Sequence, residues 1–231
     1  MSNYNDQVPF IDSAFADDAF AENPEPRCPC LLLLDTSGSM SGQPIRELNH
    51  GLTVLKNELM VDEMAVKRIE IGLVIFGPYK VEMDFQAPDA FIPPTLCASG
   101  GTPMGEAIER GLEMLRNRKE VYKRNGVSYY RPWVFLITDG APTDNWQNAA
   151  RLVHTGEAAK SFMFYAVGVQ GVNMETLRQI SVRDPLRLDG LRFGDLFAWL
   201  SSSLGAVSSS TPGDLVPLTN PTGPSGWGST E

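Results

Sequence analysis

A doubly wound, Rossmann-like α/β fold, a mostly parallel sheet with one antiparallel edge strand, is what this sequence predicts. Two observations carry it. Short apolar runs of strand length alternate with segments whose apolar residues recur every three or four positions, as expected when helices cover both faces of a parallel sheet. Two of those runs also stop abruptly in polar loops, Asp35-Thr36-Ser37-Gly38-Ser39 and Asp139-Gly140. Loops of that kind, beyond the carboxyl ends of buried strands, are where such folds place their working groups.

The elements follow in chain order. Cys30 to Leu34 is an apolar run too short for a helix. Ile45, Leu48, Leu52, Leu55 and Leu59 then recur at helical spacing, with Pro44 suited to the first turn. Ile69 to Phe76 is a second strand, and Gly77-Pro78-Tyr79 turns the chain into Val81 to Phe85, the antiparallel edge. A helix runs from about Met104 through Ile108, Leu112 and Leu115. Trp133 to Thr138 is a buried strand. Asp144 or Asn145 is placed to cap a helix carrying Ala149, Leu152, Val153 and Ala158. Phe162 to Val169 is the next strand, and Phe193, Leu196, Phe197, Leu200, Leu204 and Val207 give an amphipathic last helix. No repeat runs through these elements.

Composition sets the limits. The chain has 231 residues, 42% hydrophobic and 20% charged, which is ordinary for a protein with a buried core. Residues 1–27 hold six acids and one base and read as an acidic N-terminal tail, with Phe10, Ile11, Phe15 and Phe20 scattered through it. Residues 208–231 carry seventeen Ser, Thr, Gly or Pro in twenty-four positions and read as linker. Residues 28–207 then form one domain. A net charge of −9 argues against nucleic acid and anionic membrane as partners. No apolar stretch approaches the ~20 residues a spanning helix needs. Three cysteines and no basic, apolar leader at the start of the chain point to the cytoplasm.

The chemistry sits in three loops. Asp35, Ser37 and Ser39 alternate, so a loop leaving a strand can turn three oxygens toward one point. Asp139 ends another strand, and Ser99-Gly100-Gly101-Thr102-Pro103 offers a further hydroxyl before a helix. These are hard oxygen donors suited to Mg2+ or Mn2+. Each loop alone is also ordinary cap or turn chemistry; three together favour a site.

With these residues the chain resembles the von Willebrand factor A domain (VWA) family with its metal-ion-dependent adhesion site (MIDAS). The D-x-S-x-S pattern stands as Asp35, Ser37 and Ser39, the distant Thr as Thr102 and the later Asp as Asp139. The stretches Leu-Leu-Leu-Asp-Thr-Ser-Gly-Ser-Met and Phe-Leu-Ile-Thr-Asp-Gly-Ala-Pro-Thr-Asp are more specifically similar to the bacterial tellurium-resistance (TerY-like) branch. The resemblance implies a site in which Ser37 and Ser39 ligate Mg2+ directly, Thr102 does so directly in one loop state, and Asp35 and Asp139 act largely through water, with Mn2+ as the alternative ion. It implies a non-catalytic module that captures the acidic side chain of a protein partner, in a stress-response or tellurium-resistance assembly that includes kinase or phosphatase components. Gly100 and Gly101 would let the Thr102 loop shift between affinities.

Competing chemistries are poorly supported. No G-x-x-x-x-G-K-[ST] loop, D-x-D-x-T nucleophile or G-x-S-x-G elbow is present, so a metal-dependent phosphohydrolase, or a regulatory subunit of a kinase or phosphatase system, is the secondary reading. His50 and His154 lie on predicted helices, apart from the serines. Cys28, Cys30 and Cys97 lack the spacing of a closed zinc site and read as structural thiols. Arg116, Arg118, Lys119, Lys123, Arg124 and Arg131, interleaved with Tyr122, Tyr129 and Tyr130, form the one basic cluster. It reads as a solvated helix end, or as a docking surface for an acidic partner such as the chain's own N-terminal tail.

Overall fold

A computed structural model describes Phe20, residues 23–77 and residues 81–230. Most of the acidic tail, and the Pro78-Tyr79 part of the predicted turn, lie outside the described residues. Among the described residues, seven strands form one sheet. We number them β1 (Cys28–Asp35), β2 (Ile69–Phe76), β3 (Val81–Gln86), β4 (Trp133–Thr138), β5 (Met163–Gly168), β6 (Leu186–Leu188) and β7 (Gly228–Ser229), in the spatial order β3-β2-β1-β4-β5-β6-β7. The five inner strands are parallel. β3 runs antiparallel on β2, as the sequence predicts, and β7 adds a second short antiparallel edge on β6.

The helices are α1 (Gln43–Val61), α2 (Glu63–Arg68), α3 (Met104–Arg124), α4 (Gln147–Ala158), α5 (Met174–Ile180) and α6 (Phe193–Ser208). Strand alternation divides the core between two faces. Leu32 and Leu34 of β1 point to a layer with Leu48, Leu52 and Leu55 of α1 and Phe197 and Leu200 of α6. Leu31 and Leu33 point the other way, to Ile108 and Leu115 of α3 and Val153 of α4. β1, β2 and β4 are buried along their whole length, which is why they read as mainly apolar runs, with Glu70 the charged exception within β2.

Composition misreads the C-terminal segment at particular residues. Trp227 is 2% exposed, packs edge-on against Trp199, and precedes β7. The indole of Trp199 donates to the Thr219 carbonyl at 2.7 Å, and Arg192 donates to the Gly226 carbonyl at 2.6 Å. Burying one large aromatic contributes a gross ~4–6 kcal/mol, so a single tryptophan can dock a stretch whose Ser, Gly and Pro content reads as linker.

The basic cluster is split by burial. Arg118 forks onto Glu70 at 2.7 Å through both Nε and a terminal nitrogen, joined there by Arg27 and the Tyr122 hydroxyl. Arg131 turns instead to Glu157, which Arg183 also pairs. Lys123 pairs with Glu120 on the exposed side of α3, so only that part is a solvated helix end. Glu70 and Glu157 are 4% and 8% exposed, and a carboxylate that deeply placed requires such partners.

Candidate metal centre

β1 and β4 are neighbours in parallel register, Leu34 opposite Ile137, so their last residues, Asp35 and Thr138, emerge side by side at the carboxyl edge of the sheet. Thr138 donates its hydroxyl to Asp35 Oδ2, while the Ser37 amide donates to Asp35 Oδ1 at 2.8 Å. Asp35 is thereby fixed through both oxygens in a place without solvent exposure. Beyond it the chain makes a 3-10 turn over Gly38–Met40. The Ser39 hydroxyl donates to Asp139 Oδ1 at 2.6 Å, and the Ser37 and Ser39 hydroxyl oxygens are 3.1 Å apart. Four of the five predicted residues are therefore joined by hydrogen bonds.

Thr102 arrives from a loop tied down at several points. Gly38 donates to the Gly100 carbonyl at 3.0 Å and Ser99 to the Thr36 carbonyl at 2.9 Å. The Thr102 amide donates to the Thr143 hydroxyl at 3.0 Å, and the Thr143 amide returns a bond to the Thr102 carbonyl at 2.9 Å. The Thr102 hydroxyl takes part in none of these bonds. A methyl group built on Gly140 would lie 2.9 Å from that hydroxyl and 3.6 Å from Asp35 Oδ2, so a side chain at position 140 would intrude between Thr102 and Asp35. Gly100 has a φ of +75°, the left-handed region that glycine adopts at no steric cost. Gly101 does not, and its constraint is the Thr143 hydroxyl 3.1 Å from where a Cβ would stand.

Burial raises the pKa of Asp35, against the lowering effect of the hydrogen bonds from Thr138 and Ser37, and the nearby charge of Asp139 adds to the rise. Asp139 is raised for the same principal reason. No Lys, Arg or His offsets either carboxylate among the described residues. Two carboxylates and three hydroxyls, without a neutralising side chain, make a donor set that fits a small hard cation.

Several supporting residues are absent from the sequence-level set. Thr138 orients Asp35, and Thr143 holds Thr102. Asp144 accepts from the Gly105 and Glu106 amides at 3.0 and 2.8 Å, so it caps α3 across space and not the helix that follows it. Asn145 does face that helix, accepting from the Gln147 amide. The zinc alternative is not supported: among the described residues no three His, Cys, Asp or Glu side chains gather to hold a metal. Cys28 and Cys30 are buried free thiols. His154 lies against the Gln179 carbonyl and His50 near Gly194, so neither is a partner of Ser37 or Ser39.

Comparison with known proteins bears on the fold. The family model of the von Willebrand factor type A domain matches residues 31–187. Among solved structures, the pilus adhesin SpaC from Lactobacillus rhamnosus GG is 12% identical over 80% of this chain and 31% of its own, with a TM-score of 0.62. Proximal thread matrix protein 1 from the mussel byssus is 16% identical over 79% of this chain and 49% of its own, with a TM-score of 0.54. Manganese-loaded TRAP protein of Plasmodium vivax is 21% identical over 67% and 62%, with a TM-score of 0.48. The chain spans less than two thirds of the length of each, and for the pilus adhesin and the thread matrix protein, at these identities, the likeness is one of fold. No curated protein matches.

Proposed function

The chain belongs to the von Willebrand factor type A domain family, and from that premise we propose that it is a non-catalytic protein-binding module that takes an acidic side chain of its partner through Mg2+. Asp35, Ser37, Ser39, Thr102 and Asp139 would hold the ion, with Mn2+ as the alternative. One observation carries the reading: residues from three separate loops converge at the carboxyl edge of β1 and β4 around two buried carboxylates that no basic side chain offsets among the described residues.

A divalent cation bound mainly by neutral hydroxyls keeps most of its charge and an open position for a carboxylate. The chain's own groups prepare that site. Thr138 and the Ser37 amide lock Asp35 so that its remaining lone pairs have fixed directions. Ser39 donates its hydroxyl hydrogen bond to Asp139, which leaves its oxygen lone pairs free to face an ion. The paired bonds between Thr102 and Thr143 hold the third loop against the first two.

The wider setting belongs to the same proposal. The similarity to the tellurium-resistance branch supports a stress-response assembly with kinase or phosphatase components. The three free cysteines support a cytoplasmic location. No helix among the described residues is long and apolar enough to cross a membrane. The test is affinity capture from lysate with wild type and Ser37→Ala, each in Mg2+ and in EDTA, alongside calorimetric titration of Mg2+. A protein retained only by wild type with Mg2+ is the expected result. Retention that ignores both metal and substitution, or no heat of Mg2+ binding, would overturn the reading.

A further inference from the structure

At the edge of the sheet opposite the metal centre, Phe20 fills a slot that the metal-binding function does not use. Its ring is 6% exposed, lies 5.2 Å from the guanidinium carbons of both Arg27 and Arg118, and meets Tyr122 edge-on at 6.0 Å. The walls do not depend on Phe20. Arg27 and Arg118 are both held by Glu70, and Arg118 lies over the Tyr122 ring. Two guanidinium groups share that one carboxylate, so the slot keeps a positive charge.

The sequence leading into the slot is a tandem repeat of five residues. Phe10-Ile11-Asp12-Ser13-Ala14, Phe15-Ala16-Asp17-Asp18-Ala19 and Phe20-Ala21-Glu22-Asn23-Pro24 each begin with phenylalanine and carry an acid two positions later. An aromatic ring followed closely by an acid matches a slot walled by aromatic and cationic groups. Of the three phenylalanines, Phe20 alone is among the described residues.

We propose that the slot between Arg27, Arg118 and Tyr122 is a binding site for a phenylalanine followed two residues later by an acid, and that the three units of the chain's own N-terminal segment are interchangeable occupants. Polymer physics sets their ranking. Phe20, Phe15 and Phe10 lie 7, 12 and 17 residues from Arg27. Closing the longer loops makes Phe15 and Phe10 about two- to fourfold weaker occupants than Phe20. Loss of Phe20 alone therefore leaves the slot filled from within the chain.

The Nε proton of Arg118 donates to Glu70 at 2.7 Å and reports on the slot by NMR in the full chain. Its presence shows that the Glu70 pair is intact, and its ring-current shift shows whether an aromatic ring lies against it. Expected results are a shift largely retained in Phe20→Ala, lost in the triple Phe10→Ala, Phe15→Ala, Phe20→Ala variant, and unchanged on dilution. A peptide of residues 13–19 added to the triple variant should restore the shift, and the same peptide with alanine at position 15 should not. A Phe20→Ala spectrum identical to that of the triple variant would overturn the proposal, as would a retained shift that disappears on dilution, which would assign the occupant to a second copy.

Discussion

Replacing Thr138 by valine tests whether the candidate centre depends on how Asp35 is held. The swap keeps shape and strand propensity and removes one hydroxyl. That hydroxyl donates to Asp35 Oδ2 and accepts, at 3.2 Å, from the Gly140 amide. Gly140 is partly exposed, so water can take over its bond. Asp35 and Thr138 have no exposure, so nothing replaces the bond to the carboxylate. A hydrogen bond to a charged group is worth about 1.5–3 kcal/mol. For a domain of this size, a loss of ~2 kcal/mol lowers Tm by roughly 4–8 °C. The Thr138 bond also lowers the pKa of Asp35, so its loss leaves the carboxyl harder to ionise. Removing a residue that orients a ligand weakens metal binding by about 10–100-fold. Thermal unfolding in EDTA reads the first effect and calorimetric Mg2+ titration the second. A Thr138→Val protein with the lower Tm and an unchanged Mg2+ affinity would refute the idea that Thr138 positions Asp35 for the ion.

Three further outcomes are expected. Burial raises Asp35 and Asp139, so in the metal-free protein the native state binds more protons than the unfolded chain above about pH 3.9. Stability contributed by their protonation is then lost as pH rises through the folded values. The urea midpoint of wild type should fall across that window relative to Asp35→Asn, and parallel profiles would contradict the assignment. Glu70→Gln leaves the Arg27 and Arg118 guanidinium groups without their carboxylate and should cost about 3–5 kcal/mol, which urea denaturation measures directly. Burial pushes the Cys28 thiol up to about 12 and Cys30 well above its ordinary value, while Cys97 is exposed. A thiol reagent near pH 8 should therefore modify Cys97 alone until the protein unfolds; native reaction at Cys28 would show that β1 opens.

Much of this architecture is legible because it follows from local rules. β1 and β4 are buried on both faces, so their runs could not be mistaken for amphipathic elements, and an acid stands at the edge where sites form, Asp35 as the last residue of β1 and Asp139 just after β4. The supporting residues need strand order. Thr138 becomes the partner of Asp35 only because β1 and β4 are adjacent in register, which no spacing within either strand reveals. Asp144 sits just before a helix and serves a different one, 38 and 39 residues away in sequence. The three residues of β6 and the two of β7 are too short for periodicity to register. Arg118 and Arg131 look like surface cations until Glu70 and Glu157 are seen beneath them.

The sheet divides its charge by edge, and that division predicts how stability and binding separate. At the amino edge of β2, Glu70 is compensated within the chain by Arg27 and Arg118, and Arg68 ties Ser208 at the end of α6 and Glu25 to the same region. At the carboxyl edge, Asp35 and Asp139 have no basic partner among the described residues and are held by hydroxyls and amides. The first arrangement stabilises the fold whatever is bound. The second is electrostatically unfavourable by itself, and under the proposed function a bound cation would offset that cost. Glu70→Gln should therefore lower stability in Mg2+ and in EDTA by the same amount, because its partners lie at the far end of the strands. Thr138→Val should lower it more in Mg2+ than in EDTA, because it removes both a native hydrogen bond and part of the stabilisation that the ion supplies.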